Sequence, residues 1–402
     1  MIKKVSLLIL VVCLLLALLS PALVQAKGGL AILHSSVQAE FPARLSFNLS
    51  AESDVNITDI RLRYIVDRTS FAQVTSEDYI EFVPAPKVDV SWTLEMVKIG
   101  GLPPGAAVDY WWVVEDASGD RIETAPVQVQ FDDDRYPWHS LSEGEVTIYW
   151  YEGEQSFAQE LMASAQQALA RLAEDTGAFL EKPIQLYIYA NAEDLKGAMI
   201  YPQEWTGGLA FTRHGIIAIG ITPGDIEWGK KAIAHELAHL VTDQMTFNPY
   251  IGLPAWLDEG LAMYAEGELE PAYVAYLNEA VAKGNLISVR SLASPFSAYG
   301  AQAYLSYAQS YSLIEFLIDN YGRSKMLELL KTFKQGSGYD EALGKVYGFD
   351  MDGLNTLWRD YITKPAQSGD KMGMHPSLSW TFAGLLLALG AGFGSRGWRR
   401  GR

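Results

Sequence analysis

The chain has 402 residues, 49% of them hydrophobic and 20% charged, enough for about two or three domains with sizeable cores. Its formal charge of −17 is unevenly spread, because seven of the 31 bases and none of the 48 acids fall in residues 1–26 and 371–402. So acidic a body disfavours nucleic acid and anionic membrane surfaces as partners. The single cysteine, Cys13, lies in the apolar start, which leaves the rest without disulfides, thiolate ligands or a cysteine nucleophile.

Residues 1–26 read as a signal peptide. Lys3 and Lys4 precede an apolar run, and Val24-Gln25-Ala26 supplies small residues for cleavage. Residues 30–132 alternate apolar and polar positions, as in 45–49, 60–66 and 88–94, the pattern of half-buried strands. Seven or so short strands over ~100 residues fit an all-β sandwich. The stretch from Gly100 to Asp120, with a Leu-Pro-Pro-Gly turn and a Tyr-Trp-Trp strand, resembles the late strands of fibronectin type III or immunoglobulin-like domains. That fold implies a spacer or docking module. Trp111 and Trp112 are adjacent, so they face opposite sides and one belongs to a core. Asn48 and Asn56 each begin a glycosylation sequon.

The acidic, proline-bearing stretch 132–138 reads as a boundary. A second domain follows over residues 143–365. Residues 146–151 and 184–189 read as strands and 156–180 as a long amphipathic helix. Residues 206–212 and 216–221 form a hairpin turned at Arg213-His214-Gly215, with His214 in solvent.

Next comes Lys231-Ala-Ile-Ala-His235-Glu236-Leu-Ala-His239-Leu-Val-Thr-Asp243. Positions four apart share a helix face, so His235 and His239 aim two imidazoles at one metal. Glu236 is then placed to handle the proton of a water at that metal. Thr222 offers an N-cap hydroxyl, Pro223 a first helical position and Asp225 a carboxylate three residues on. The chain has six histidines, so a chance pairing around a glutamate is a weak explanation. A catalytic zinc takes three protein ligands and leaves one position open, whereas a structural zinc takes four. No third histidine follows at the spacing of HExxHxxGxxH. The histidines' other nitrogens need acceptors, for which Asp243 or Asp258 would serve.

About twenty residues after His239 the chain reads Pro254-Ala-Trp256-Leu-Asp258-Glu259-Gly-Leu-Ala. This segment resembles the W-L-x-E-G-x-A motif of gluzincin metallopeptidases, and with HELAH it is similar to their peptidase MA-like branch. The resemblance implies a zinc ion held by His235, His239 and Glu259. Asp258 is the fallback by neighbourhood, turned about 100° away on a helix. It also implies an edge strand before the metal-binding helix that pairs with extended substrate, here Gly207, Gly208, Leu209 and Ala210. A tyrosine from a downstream helix stabilises the oxyanion in several gluzincins. Tyr304, Tyr307 and Tyr311 lie near one helix face, and Tyr307 is the choice among them.

Helices are expected over residues 271–283, 301–320, 324–334 and 352–362. Residues 366–377 read as a linker and 378–394 as a transmembrane or sorting segment. Arginines in the tail, 395–402, predict a cytoplasmic end and an external catalytic part. The expectation is a multidomain chain: an all-β sandwich, then an α+β zincin-like domain, framed by an N-terminal signal peptide and a C-terminal transmembrane helix. Its expected activity is zinc-dependent hydrolysis of protein or peptide substrates outside a single-pass membrane anchor, with Glu236 as general base. The rival is a non-catalytic zinc-binding surface protein that keeps the same shell.

Overall fold

The computed structural model describes residues 29–202, 208–297 and 300–363. The expected signal, linker, membrane segment and tail lie outside them. No helix among the described residues is long and apolar enough to cross a membrane.

The first part holds β1 (Ala31–Glu40), β2 (Arg44–Val66), β3 (Ser76–Tyr79), β4 (Ala85–Glu95), a short α1 (Met96–Ile99), β5 (Ala106–Asp116), β6 (Arg121–Glu123) and β7 (Val127–Phe131). Two of the expected strands are one. Strand β2 runs 23 residues, its first half pairing with β1 and β4 and its second half with β5 and β3. Register shifts between Glu52 and Asp59 mark the bend where it changes partners. The seven strands thus form one hydrogen-bonded sheet rather than two separate ones, with β2 as the corner.

The two halves still close over a common core. Leu45, Phe47, Leu49 and Ala51 alternate inward before the bend, and Ile57, Ile60 and Leu62 after it. Phe47 packs on Tyr110 with ring centroids 4.9 Å apart. Trp112 is the buried tryptophan, its Nε1 donating to Ser35 Oγ at 3.1 Å, while Trp111 faces the other way and donates to Glu123.

The second sheet starts earlier than the sequence pattern suggests, with β8 (His139–Glu143), followed by β9 (Val146–Trp150). Helix α2 (Gln155–Asp175) crosses over to β10 (Ile184–Tyr189). It ends well before residue 180, because Gly177 takes a left-handed φ of 76° and Thr176 turns its hydroxyl back to the Leu172 carbonyl. After a short α3 (Ala192–Gly197) come β11 (Gly208–Phe211) and β12 (Ile216–Gly220). The strand order is β11-β12-β10-β9-β8, with the three central strands parallel and β11 on one edge.

Both faces of this sheet are covered, which explains its nearly continuous apolar strands. Ile184, Leu186, Ile188, Ile217 and Ile219 face the helices. Tyr187, Tyr189, Ile216 and Ala218 face the other way, into the core of the first part. The β-rich part is therefore packed against the second sheet as a layer of the molecule. The boundary segment is tied down accordingly: Asp133 is buried and accepts from Arg135 and from Tyr189. Tyr136, Trp138, Tyr151 and Tyr189 form an aromatic cluster around it.

The helices α4 (Ile226–Thr246), α5 (Ala255–Glu266), α6 (Pro271–Lys283), α7 (Gly300–Tyr321), α8 (Arg323–Lys334), α9 (Tyr339–Tyr347) and α10 (Met351–Thr363) complete the chain. From α5 onward they share one core with the inner face of α4, through Val241, Trp256, Leu261, Ile314 and Leu330 among others.

Candidate metal centre

Helix α4 lies between two apolar environments. Ile233, Leu237 and Leu240 pack on the second sheet, while Ala238, Val241 and Met245 pack on the later helices. Its start differs from the expected capping box. Residues Pro223–Asp225 form one 3₁₀ turn, and Thr222 contributes its carbonyl to Asp225 N, with no side-chain cap. The second helix, α5, is anchored by buried Trp256, Leu257 and Leu261. Gly260 permits a close approach to α7: a Cβ there would sit 2.7 Å from both Ile314 Cγ1 and the Ser310 carbonyl oxygen. A larger residue would push α5, and Glu259 with it, away from α7.

Three of the expected ligands converge. Glu259 Oε2 lies 3.5 Å from His235 Nε2 and 3.6 Å from His239 Nε2. Ligand atoms of all three residues lie within 4.8 Å of one another. His235 Nε2 and Glu259 Oε2 are buried and have no hydrogen-bond partner. Buried polar atoms without partners are costly, and here they face one another around a common point. Two ligands at the usual zinc–nitrogen and zinc–oxygen distances sit ~3.4 Å apart in a tetrahedral site. The residues present fit a zinc ion by donor type, spacing and unmet hydrogen bonding.

The far nitrogens are held. His235 Nδ1 pairs with Glu266 Oε1 at 2.7 Å, and His239 Nδ1 with Asp258 Oδ1 at 3.0 Å. Thr242 Oγ1 donates to the same Asp258 oxygen. With a metal bound, an Nδ1–H donated to each carboxylate would leave each Nε2 lone pair for the ion. Asp258 thus acts as an acceptor on the outer side of His239. Asp243 is the exception among the expected acceptors: it accepts from Thr212 instead. Glu266 was missed by sequence reasoning, although a signal existed. It sits seven residues after Glu259, two helical turns along the same face.

The electrostatics follow from burial among carboxylates. Burial alone would lower the His235 pKa, yet Glu259 and Glu266 on either side raise it well above the usual histidine value. For His239 burial again works downward, and Asp258 carries the value up to about 9. Four carboxylates around two imidazoles make a strongly cation-seeking cluster. Burial raises Glu236 above the ordinary glutamate range, with His239 and His235 opposing it.

Tyr307 is the member of its stripe nearest this cluster. It is buried, packs edge-on against Phe296, and is raised well above the usual tyrosine range by burial and then by the charges of Glu259, Tyr273 and Glu236. Tyr304 instead stacks on Tyr276, and Tyr311 packs beside Tyr264. Gly208, Leu209 and Ala210 form the edge strand β11, paired with β12 on one side only among the described residues. Gly207 lies outside the described residues. His214 is half-buried rather than in solvent; its Nδ1 sits 3.2 Å from the Asp67 carbonyl, and burial lowers its pKa.

A cluster of two imidazoles and a carboxylate, with Glu236 one residue after the first imidazole, is a candidate metal site. A family model described as the Peptidase MA superfamily matches residues 164–364, half of the chain, and the chain belongs to that superfamily. No curated protein matches the chain. Among solved structures it is similar to OgpA from Akkermansia muciniphila, at 7% identity, 27% of this chain, 28% of that one and a TM-score of 0.21. It is also similar to an M1 zinc metallopeptidase from Deinococcus radiodurans, at 12% identity, 82% of this chain, 94% of that one and a TM-score of 0.33. Aminopeptidase A from Legionella pneumophila gives 10% identity, 83% of this chain, 50% of that one and a TM-score of 0.36. The chain spans under a third of the length of the OgpA structures it matches.

Proposed function

We propose that the chain is a zinc-dependent metallopeptidase of gluzincin type, in which His235, His239 and Glu259 hold the metal. The observation that carries this reading is the convergence of His235 Nε2, His239 Nε2 and Glu259 Oε2, two of them buried and unpartnered. When bound, zinc supplies a Lewis acid that polarises a carbonyl and acidifies water. Asp258 and Glu266 fix the tautomer and rotation of the two imidazoles. Glu236 accepts the proton of the attacking water and passes it to the leaving amine, a role its raised pKa suits. Tyr307 stays protonated under its upward shift, so it donates a hydrogen bond to the developing oxyanion. The free edge of β11 pairs with the substrate backbone, which gives affinity with little side-chain selectivity. The proposal includes export by residues 1–26 and tethering by 378–394, with the catalytic part outside the cell; both rest on the sequence pattern alone.

The test is metal content together with cleavage of a peptide pool by the full chain and by its Glu236→Gln variant. The expected outcome is one zinc per chain in both, with cleavage falling ~100- to 10,000-fold in the variant. Zinc in both with no cleavage by either would replace the peptidase reading with the binding-protein reading. Absence of zinc from the purified chain, with no gain on adding it, would sink the metal assignment.

A further inference from the structure

Glu266 holds His235 from an insecure position. It is the last residue of α5, and Gly267 breaks the helix directly after it with φ at 116°, a conformation open mainly to glycine. Terminal turns fray, because their last carbonyls have no partners within the helix. An acceptor placed there orients an imidazole only as well as the chain end is itself held.

Two neighbouring helices hold that end. From α2, Arg171 Nη1 donates to the Ala265 carbonyl at 3.3 Å, and a Cβ on Gly267 would sit 2.8 Å from the same nitrogen. From α4, Lys231 forms an ion pair with Glu270, the residue before α6. The adjacent Lys230 turns elsewhere, to Glu160 and Glu227. Lys231 and Glu266 also line one cavity, of about 380 Å³, between α2 and α4.

The spacing gives the Lys231–Glu270 pair a purpose. Lys231 precedes His235 by four residues on α4, and Glu270 follows Glu266 by four. The His235–Glu266 contact and the Lys231–Glu270 pair therefore join the same two segments as successive rungs, ~6 Å apart along α4. The outer rung closes the segment whose inner rung turns the imidazole. The Lys231 and Glu270 side chains are 43% and 35% exposed, so solvent and salt weaken the pair and its effect is modest.

We propose that the Lys231–Glu270 pair positions Glu266 against His235 and thereby tightens the zinc site. This rests on the reading of His235, His239 and Glu259 as zinc ligands. Positioning and simple charge differ in sign. If the two charges acted on the metal through space, losing Lys231 would strengthen zinc binding and losing Glu270 would weaken it. If they act by holding Glu266, losing either one weakens it, and the effect vanishes once Glu266 is gone.

The test measures the zinc affinity of full-length chains by competition with a chelator. Lys231→Met and Glu270→Gln are each expected to weaken zinc binding ~2- to 5-fold at low salt, the range of an exposed ion pair. Their combination should cost no more than either alone, and Lys231→Arg should keep the wild-type value. Both changes should be silent in a Glu266→Ala background. Tighter or unchanged binding in Lys231→Met, or a loss that persists without Glu266, overturns the proposal and leaves the metal assignment standing. A second readout needs no metal. The His235 Nδ1 proton is followed by NMR in metal-free chains labelled with nitrogen-15 histidine, and is identified by its loss in Glu266→Ala. It is expected to exchange with water faster in Lys231→Met and Glu270→Gln than in wild type; equal exchange overturns the proposal. A wild-type chain that binds no zinc but shows this acceleration in the variants would overturn the metal assignment and leave the positioning of Glu266 standing.

Discussion

Two carboxylates with buried oxygens in this molecule, Asp133 and Glu259, have opposite surroundings. Asp133 is closed on itself: it accepts from Arg135 Nε at 2.7 Å and Nη2 at 2.6 Å, from Tyr189 OH at 2.8 Å and from the Arg135 amide. Its charge is cancelled and its lone pairs are used. Glu259 sits among other acids, and its Oε2 points at two imidazole nitrogens without a hydrogen bond. Asp133 is fully enclosed and Glu259 is half-buried, yet the larger difference lies in their partners. What separates a structural acid from a ligand is whether its hydrogen-bonding capacity is met inside the protein. The first cluster welds the two parts of the chain together; the second is left incomplete in a way that a dication completes.

The largest effect expected from breaking this contrast is at Asp133. Replacing it by Asn leaves the Arg135 guanidinium, itself only partly exposed, without its counter-charge at the boundary. The expected loss is ~2–4 kcal/mol, reduced from the fully buried case by solvent at Arg135. It is read as a lower urea midpoint with an unchanged slope. Zinc content per folded chain should be unaffected. A variant as stable as wild type would mean that the two parts are held by the shared apolar core alone.

Glu266→Ala is the complementary change. It removes the acceptor of the His235 Nδ1 proton while leaving every ligand in place. Zinc affinity is expected to fall ~10- to 100-fold, measured by competition with a chelator. Glu266→Gln keeps an acceptor oxygen and should lie between the two. Equal affinity in all three chains would show that packing alone orients His235.

How far the sequence discloses this site depends on the range of the contacts involved. His235, Glu236, His239 and Glu259 are recognisable because their spacing on two helices is local information. Asp258 follows from the same helix, and Glu266 was available at seven residues from Glu259 but carries no motif of its own. Asp243 misled, because helical position says nothing about Thr212 arriving from a different turn. The β-rich part was legible strand by strand through its alternation. Its single sheet was not, since the bend in β2 lies in a stretch, Glu52 to Asp59, with no glycine or proline to announce it. Nor was the shared core, because Tyr187 and Tyr189 alternate with Ile188 whether their face meets water or another layer.

The smallest effect, and a sharper test of what self-satisfaction means, lies at Asp116. This carboxylate accepts from the hydroxyls of Ser118 and Ser53 and from the amides of Ser118 and Asp120 at the turn between β5 and β6. Those bonds, Ser118 first, hold its pKa below the ordinary aspartate range. A carboxyl depressed in the folded state contributes stability above its unfolded pKa of ~3.9 and loses it as pH falls through the lower folded value. Thermal melting of wild type and Asp116→Asn should therefore differ at neutral pH, with the variant lower. The gap should close only below about pH 4, as the wild-type carboxylate takes up its proton. A gap that stays constant down to pH 2 would assign the stabilisation to the shape of the turn, with charge playing no part. Among the described residues no cation pairs with Asp116 within 4 Å, unlike Asp133, so closure of the gap would show that hydrogen bonds alone can keep this acid ionised.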